Sequence, residues 1–425
     1  MRLVLFDRLT PKRINFHPLA LSRPVFELRC GMTSLGDKLV AKLGMADVAC
    51  FVPPYMAAAY QTQCRWPVND VAKLRGDDLL LIAGRVKAAD FRVAPRGPSE
   101  VAVDSDGEVL YARIAQADLE RLDTGSIDAL LDSAKTRLSA AKSLPAAWNY
   151  TWELILANSA ELIADFAAAG CSGVEGAVEE PHALRGSRKD VYVAPSAVVH
   201  PMVVIDAEHG PVYLDEGVQV HPFTRIEGPC YVGRDSVLLG CKCREGNSIG
   251  PMCRLGGEVE ESIIQGYSNK YHDGFLGHAY VGQWVNLGAL TTNSDLRNDY
   301  SEVSIILDGR TPVPTGSTKV GSLIGDHVKM SIGTLLNTGA YVGAMAFVIS
   351  DGNLLPRFLP SFAGYLQGVV TTGRGKERLY PTARAAMSRR NCAWTPADEA
   401  LWNAVFDITS DERVQAVERA SSRKA

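Results

Sequence analysis

Aliphatic residues return every six positions through the middle of the chain. The first run consists of Val193, Val199 and Ile205. After a short Glu-His-Gly insertion, the second run consists of Leu214, Val220, Ile226, Val232 and Leu238. A six-residue unit accommodates one short strand and one tight turn, with the aliphatic side chain pointing inward. Three such units would close one triangular coil, so the pattern predicts a left-handed parallel β-helix built from hexapeptide repeats.

Further along, the repeat takes the form of an aliphatic residue followed by glycine. The pairs begin at Val232, Ile249, Leu255, Leu276, Val281, Leu287, Val320, Ile324, Ile332 and Val342. Glycine gives the turn its backbone freedom. The alternative is an antiparallel β-sandwich, whose strands recur at a longer spacing of about 8–12 residues. The six-residue spacing therefore favours the β-helix.

The chain before the repeats alternates predicted strands and helices. We expect buried strands at 3–6 and 77–84, a hairpin at 101–112, and helices at 126–138 and 151–169. Continuous apolar runs are typical of buried parallel strands, and the Ser-Asp-Gly at the centre of the hairpin is a turn signal. We therefore predict a Rossmann-like α/β domain over residues 1–185, including a linker at 170–190.

The remaining boundaries follow from where the repeat begins and ends. The β-helix domain is predicted over 186–352, with coils from about 191 and a polar excursion at 293–318. Residues 353–425 are expected to form a helical C-terminal tail. Thr395 and Pro396 there are typical of a helix start, with a hydroxyl cap and a proline in the first turn.

Composition excludes several classes of protein. The chain has 425 residues, a formal net charge of -4 and no basic block, which argues against nucleic acid as a partner. No uninterrupted apolar run reaches the roughly 18 residues of a membrane span, and residues 1–7 lack the apolar core of a signal peptide. Nine scattered cysteines indicate reduced thiols. We therefore expect a cytoplasmic protein without a membrane partner.

Two segments concentrate residues that carry chemistry. The segment 21–38 contains Arg23, Arg29, Gly31 and Lys38, the residue types that hold phosphates near a helix start. It lacks the Walker spacing, so a basic loop with solvated charges stays an equal alternative. The second segment, 268–288, places a histidine and other polar residues within the repeats, which indicates that one coil of the β-helix performs chemistry.

Together the two segments resemble one bacterial family. Arg-Pro…Leu-Arg-x-Gly-x-x-Ser-Leu-x-x-Lys starts at Arg23, and Asn-Lys-x-His-Asp-Gly-Phe-Leu-Gly-His-Ala-Tyr-Val-Gly starts at Asn269. The chain resembles divergent two-domain sugar nucleotidyltransferase/acyltransferase proteins, which are similar to the bifunctional N-acetylglucosamine-1-phosphate uridylyltransferase / glucosamine-1-phosphate acetyltransferase. The resemblance covers about residues 1–350 and leaves the tail unexplained.

The resemblance implies an acetyl-transfer site on the β-helix. His272 takes the place of the general base, which would remove a proton from a sugar amine as the amine attacks acetyl-CoA; imidazole suits this role because its pKa lies near neutrality. Asn286 would hold the sugar or the acetyl group, and Arg254 and Lys270 would grip the sugar phosphate. The resemblance also implies a homotrimer that binds acyl-CoA between neighbouring subunits.

For the N-terminal domain, the resemblance implies nucleotidyl transfer. Arg23, Arg29, Gly31 and Lys38 would handle a nucleoside triphosphate and a sugar-1-phosphate, with release of pyrophosphate and with Mg²⁺ to neutralise charge. Ala83 stands where the family has an acidic metal ligand, so the metal ligands are unassigned. The combined reactions would form UDP-N-acetylglucosamine.

Two other classes of function stay open. A β-helix zinc hydratase would need three histidines that converge across a subunit boundary, and His200, His221, His272 and His278 are the candidates. A non-catalytic scaffold that binds sugar nucleotides would carry a degenerate nucleotidyltransferase domain. Ala83, which stands where the family has an acidic metal ligand, favours this alternative.

Overall fold

A six-stranded sheet forms the centre of the N-terminal domain in the computed structural model, which describes residues 1–422. In spatial order its strands are Val48–Phe51, Arg2–Phe6, Leu79–Ala83, Val109–Ile114, Glu100–Val103 and Ser139–Ala140. The first three strands run parallel, and the predicted hairpin supplies the antiparallel pair. Strands such as Leu79–Ala83 are buried along their whole length, as expected for continuous apolar runs. The α/β prediction is confirmed.

Helices lie around this sheet and at the end of the chain. The α-helices are Leu35–Leu43 (α1), Pro54–Gln61 (α2), Gln116–Leu119 (α3), Ile127–Arg137 (α4), Thr151–Ala169 (α5), Lys376–Ser388 (α6), Pro396–Ile408 (α7) and Ser410–Ser422 (α8). Short 3₁₀ helices are Pro11–Phe16, Leu19–Leu21, Val25–Glu27, Val71–Leu74, Ala88–Asp90 and Arg188–Asp190. The predicted helix start at Thr395 is a capping box, since its side chain accepts from Asp398 and Asp398 accepts from its amide.

The second domain is a parallel β-helix with three faces. The first face contains Gly173–Val174, Val191–Val193, Val212–Leu214, Cys230–Val232, Asn247–Ile249, Ile263–Gly266, Tyr280–Gln283, Leu323–Ile324, Tyr341–Val342 and Phe358–Leu359. The second contains Ala177–Val178, Val198–Val199, Gln219–Val220, Val237–Leu238, Arg254–Leu255, Asn269–Lys270, Asn286–Leu287, Lys329–Met330, Phe347–Ile349, Gly364–Leu366 and the antiparallel Val369–Thr371. The third contains Ala183–Gly186, Val204–Ala207, Arg225–Glu227, Lys242–Cys243, Glu258–Glu260 and Phe275–Gly277, followed by the separate pair Thr292–Asn293 and Leu335–Leu336.

The predicted repeat sets the register of the coils. Val199 pairs with Val220, and Val220 pairs with Leu238 in the next coil, so inward aliphatics stack into one core. The coils begin inside the predicted linker, at Gly173, and continue past the predicted end at residue 352. The late coils lack the six-residue aliphatic signal because Tyr365 fills an inward position there. The predicted excursion contains a hairpin of Ser304–Ile306 and Pro312–Pro314.

The three parts of the chain pack against one another. On α5, Trp152 and Ile155 share a buried cluster with Ile263 and Tyr280 of the β-helix. In the tail, α7 packs on α2, and the Trp402 ring meets Phe362 edge-on. No helix among residues 1–422 is long and apolar enough to cross a membrane.

Candidate functional site

His272 lies at an exposed corner of the β-helix. The strand Asn269–Lys270 ends just before this corner, and Phe275–Gly277 begins just after it. The imidazole lies beside the Tyr271 ring, with ring centroids 5.8 Å apart. Among the described residues, no side chain or backbone group forms a hydrogen bond with this imidazole. Both ring nitrogens are therefore available to a substrate.

Two of the other predicted site residues lie on the face that leads into this corner. Arg254, Asn269 and Asn286 pair in register, so their side chains form an outward column across three coils. Asn269 Nδ2 is 3.4 Å from Asn286 Oδ1 and donates to it. The β-helix thus places Arg254 and Asn286 on the coils before and after the one that carries His272.

Lys270, which the resemblance implies grips a phosphate, does not lie in this outward column. It is buried at the inward position next to Asn269, in register with Leu255. Its ammonium donates to the carbonyl oxygens of Gly256 at 3.0 Å and His272 at 2.6 Å. Burial lowers the pKa of Lys270 to about 8. Lys270 therefore orders the His272 turn from within.

The remaining histidines do not converge. His278 occupies the following corner, where Nδ1 lies 2.8 Å from Asp295 Oδ2. Burial raises the pKa of Asp295, but the hydrogen bond and charge of His278 outweigh burial and leave it lowered. His200 and His221 lie near the start of the β-helix with ring centroids 5.0 Å apart and ring planes tilted by 34°. Within residues 1–422, no three His, Cys, Asp or Glu side chains are grouped to hold a metal ion.

The N-terminal domain contains a cleft at the point where its sheet topology reverses. The chain moves from Arg2–Phe6 to a neighbour on one side, Val48–Phe51, and then to Leu79–Ala83 on the other. In open α/β sheets, ligands bind at this switch point, beyond the carboxyl ends of the strands. A cavity of about 530 Å³ opens here, lined by residues that follow the two central strands, among them Asp7 and Arg85.

Charged side chains of both signs line this cleft, and its carboxylates are Asp7, Asp106, Glu108 and Asp132. Arg8, Lys12, Arg13, Arg85 and Lys135 all line it. Lys12 Nζ donates to Asp104 Oδ2 at 2.8 Å, and Arg85 Nη2 donates to the same oxygen at 2.5 Å. Burial raises the pKa of Asp104, but these bonds and backbone amides outweigh burial and lower it to about 2. Sequence reasoning missed these residues, although Asp7-Arg8 and Gly84-Arg85 directly follow the two buried strands.

The cleft carboxylates do not fit a resident magnesium site. Asp104 and Asp106 both pair with Lys12, and Glu108 pairs with Arg85 at 3.3 Å. These three carboxylates share two cations, and each of them already forms an ion pair within the protein.

The four N-terminal residues predicted to handle phosphates lie outside this cleft. None of Arg23, Arg29, Gly31 and Lys38 lines the switch-point cleft. Arg23 is buried and forms an ion pair with Asp326 of the β-helix. Together they line a cavity of about 400 Å³ at the junction of the two domains and the tail.

The other three residues clamp the N-terminal segment between α5 and the β-helix. Gly31 N donates to Asn158 Oδ1 at 2.7 Å, and Asn158 Nδ2 donates to Gly246 O at 2.9 Å. Lys38 forms ion pairs with Glu161, at 2.9 Å, and with Asp165. The Arg29 amide donates to the Tyr280 hydroxyl at 2.7 Å. These residues hold the domains together.

The fold and the two sites define the class of this protein: a nucleotidyltransferase-like α/β domain joined to a parallel β-helix. Residues 3–171 match the family model described as sugar nucleotidyl transferase. A bifunctional sugar-1-phosphate nucleotidylyltransferase/acetyltransferase of Sulfurisphaera tokodaii is 35% identical over 89 residues, 21% of this chain and 22% of that protein. The bifunctional protein GlmU of Polaromonas naphthalenivorans is 27% identical over 187 residues, 44% of this chain and 31% of that protein.

A further relative, the bifunctional protein GlmU of Heliobacterium modesticaldum, is 24% identical over 185 residues, 39% of this chain and 40% of that protein. The chain thus spans between about a fifth and two fifths of the length of these curated relatives. The matches confirm the predicted resemblance to two-domain nucleotidyltransferase/acyltransferase proteins and support a transferase.

Proposed function

We propose that this protein is a bifunctional transferase of sugar-nucleotide biosynthesis, with UDP-N-acetylglucosamine as its product. The β-helix acetylates an amino-sugar phosphate from acetyl-CoA, and the N-terminal domain transfers a nucleotidyl group to a sugar-1-phosphate. The observation that carries this proposal is the exposed imidazole of His272 beside the column of Arg254 and Asn286. The nine cysteines are free thiols, which supports a reducing cytoplasm as the setting.

In the acetyl transfer, the amine nitrogen attacks the thioester carbonyl and the C–S bond breaks. His272 accepts the proton that the amine loses and returns it to the leaving thiolate, so that coenzyme A departs as a thiol. Asn286 donates from its amide to an oxygen of the sugar or of the acetyl group. No step needs a metal ion.

In the nucleotidyl transfer, the sugar phosphate oxygen attacks the α-phosphorus and pyrophosphate leaves. When the substrates bind, the cleft cations Arg8, Lys12, Arg85 and Lys135 exchange their protein partners for phosphate oxygens and neutralise the charge that builds up there. The proposal therefore assigns phosphate binding to these residues and gives the segment 21–38 a structural role. Magnesium would enter with the nucleoside triphosphate, as its complex.

A homotrimer belongs to this proposal, with acyl-CoA bound between neighbouring subunits. Five exposed apolar residues follow one corner of the β-helix, the corner that also carries His272; they are Met202, Phe223, Leu239, Leu290 and Ile332, called here the corner ridge. Backbone hydrogen bonds from Phe223 to Met202 and from Leu290 to Asp273 show that they share this corner. Exposed apolar side chains gathered along one edge are typical of a protein interface.

The second candidate function is a non-catalytic scaffold that binds sugar nucleotides. It is favoured by the pairing of every carboxylate in the Asp104–Asp106–Glu108 group with a cation, which leaves none of them for a metal. A scaffold would bind a sugar nucleotide at the cleft without releasing pyrophosphate.

A two-armed assay on the full-length protein tests the proposal. One arm supplies glucosamine-1-phosphate and acetyl-CoA and follows free thiol. The other supplies magnesium complexes of nucleoside triphosphates with N-acetylglucosamine-1-phosphate and follows pyrophosphate. Signal in both arms supports the bifunctional enzyme. Thiol alone supports the acetyltransferase with a scaffold-like N-terminal domain, and silence in both arms overturns the proposal.

A further inference from the structure

Two cysteines of the N-terminal domain lie side by side at the edge of its sheet. Cys50 belongs to the edge strand Val48–Phe51, and Cys64 lies just after α2. Both are free thiols, and their Sγ atoms are 3.7 Å apart. A disulfide holds its two sulfurs about 2.0 Å apart, so a movement of roughly 1.7 Å brings this pair to bonding distance.

The backbone holds both thiols in this position. The Cys50 amide donates to Pro67 O at 3.0 Å, and the Asn69 amide donates to Cys50 O at 2.9 Å, so the segment after Cys64 runs along the edge strand. The Cys64 amide donates to Tyr60 O at 2.9 Å, which ties it to the last turn of α2. Because both cysteines are fixed by backbone hydrogen bonds, their sulfurs meet without a search through other conformations.

Cys64 has the features of the more reactive thiol of the pair. Its side chain is half-buried, whereas Cys50 is fully buried. The Trp66 amide donates to Cys64 Sγ at 3.4 Å. The hydrogen bond from Cys50 lowers the pKa of Cys64 most; burial raises it, and the Trp66 amide is among the groups that leave it lowered. Oxidants react with a thiolate that solvent can reach, and Cys64 meets both conditions.

The other cysteines lack this combination of access and a neighbouring sulfur. Cys230 and Cys243 have Sγ atoms 3.6 Å apart, but both are buried in the core of the β-helix. Cys171 and Cys392 are half-buried, but their thiols donate to backbone carbonyls and contact no second sulfur within residues 1–422. The structure therefore singles out Cys64, with Cys50 as its partner, for reaction with an oxidant in solution.

We propose that Cys50 and Cys64 form a modification site at which a peroxide converts two thiols to a disulfide. The Cys64 thiolate attacks one oxygen of hydrogen peroxide; the S–O bond forms, the O–O bond breaks, and the leaving hydroxide takes up a proton to become water. The Cys50 thiol sulfur then attacks the sulfenic sulfur of Cys64; the S–S bond forms, the S–O bond breaks, and the oxygen leaves as water with the Cys50 proton. The two thiols lose two electrons, and one peroxide becomes two water molecules.

The disulfide closes a ring that contains all of α2. The tail helix α7 packs on α2, and the Tyr60 hydroxyl near the end of α2 donates to Glu27 Oε1 at 2.5 Å. Oxidation therefore pins to the edge strand the helix through which the N-terminal domain meets the tail. In a reducing cytoplasm a disulfide of this kind is transient, so the pair responds to exposure to peroxide.

The test treats reduced full-length protein with hydrogen peroxide under native conditions, alkylates the remaining thiols in denaturant and maps them by peptide mass spectrometry. We expect a Cys50–Cys64 disulfide, while Cys230 and Cys243 stay reduced. The control Cys392→Ser removes a half-buried thiol and should form the same disulfide. Without peroxide, native Cys64 should react with iodoacetamide at pH 7 at least about tenfold faster than Cys392, since burial raises the pKa of Cys392.

Single variants separate the two steps. Cys50→Ser should stop at the sulfenic acid of Cys64, which dimedone traps, and Cys64→Ser should leave Cys50 reduced. The inference is overturned if both thiols of the wild-type protein survive peroxide, if Cys64 oxidises without forming the disulfide, or if Cys230 and Cys243 oxidise as fast. Circular dichroism checks that each variant is folded; if neither folds, the thiol map of the wild-type protein decides the inference by itself.

Discussion

At the scale of single residues, neighbours in one strand have opposite roles because their side chains alternate between the two faces of the sheet. Asn269 points outward to Arg390 and Asn286, whereas Lys270 points into the core. The family motif predicted a functional lysine, but strand periodicity gives Lys270 the inward position of Leu255 and Leu287. The motif identifies the coil that carries the chemistry, and alternation decides which of its side chains reach a substrate.

The buried lysine makes stability depend on pH. Burial lowers the pKa values of Lys270 and Lys329 to about 8, well below their value in the unfolded chain. Above pH 8 the folded lysines have released protons that the unfolded chain still binds, so the free energy of unfolding rises with pH. Each lysine adds up to about 1.4 kcal/mol per pH unit.

Lys270→Met should therefore flatten the rise in unfolding free energy between pH 8 and 9.5, measured by urea denaturation. Lys42→Met, which changes an exposed lysine, should leave the slope at its wild-type value. Equal slopes in wild type and the Lys270→Met variant would show that Lys270 titrates as an ordinary surface lysine.

At the scale of elements, regular patterns predicted more than irregular segments did. Helices at 127–137 and 151–169 and the hairpin strands were predictable because their periodicity and turn residues are local signals. The late coils were not predicted because an aromatic side chain, Tyr365, fills an inward position in place of the aliphatic repeat. The cleft cations were not predicted because they lie on separate loops. Only the order of the strands in the sheet brings these loops together.

The segment 21–38 is a second case in which residue types alone did not predict the contacts that the residues make. Its arginines, glycine and lysine suit phosphate binding, yet in the structure they contact partners far along the chain, such as Asp326 for Arg23. Arg23 and Asp326 are both buried, and Ser22 Oγ donates to Asp326 Oδ2 at 2.6 Å as a second partner. The pair is one of the links that join the N-terminal domain to the β-helix.

Arg23→Met should destabilise the protein by about 3–5 kcal/mol, because it leaves a buried carboxylate without its cation. Arg23→Met/Asp326→Asn removes both charges and should recover most of that loss in urea denaturation. If Arg23 acts only in this pair, the double variant releases pyrophosphate at close to the wild-type rate. A stable double variant that has lost pyrophosphate release would instead return Arg23 to phosphate binding.

At the scale of the whole molecule, the β-helix connects the other parts. Its first face carries α5 and the N-terminal segment, its second carries α6, and the corner between the second and third faces presents the corner ridge beside His272. A ridge of this kind needs a partner to remove it from water. A second and third copy of the chain meet that need in the proposed trimer.

Sedimentation velocity of the full-length protein should therefore show three chain masses. Phe223→Asp/Leu290→Asp places two charges on the ridge and should yield monomers with reduced thiol release. Val414→Asp alters an exposed apolar residue of α8, away from the ridge, and should remain trimeric. A monomeric wild-type protein would contradict the proposed trimer and would weaken the acetyl-transfer proposal with it.

The most direct test of the account is the two-armed assay on the His272→Ala variant, with His209→Ala as a matched control at another exposed histidine of the β-helix. The account predicts that His272→Ala abolishes thiol release and leaves both folding and pyrophosphate release at wild-type levels, while His209→Ala changes neither arm. Thiol release that persists in the His272→Ala variant would contradict the assignment of this imidazole as the base.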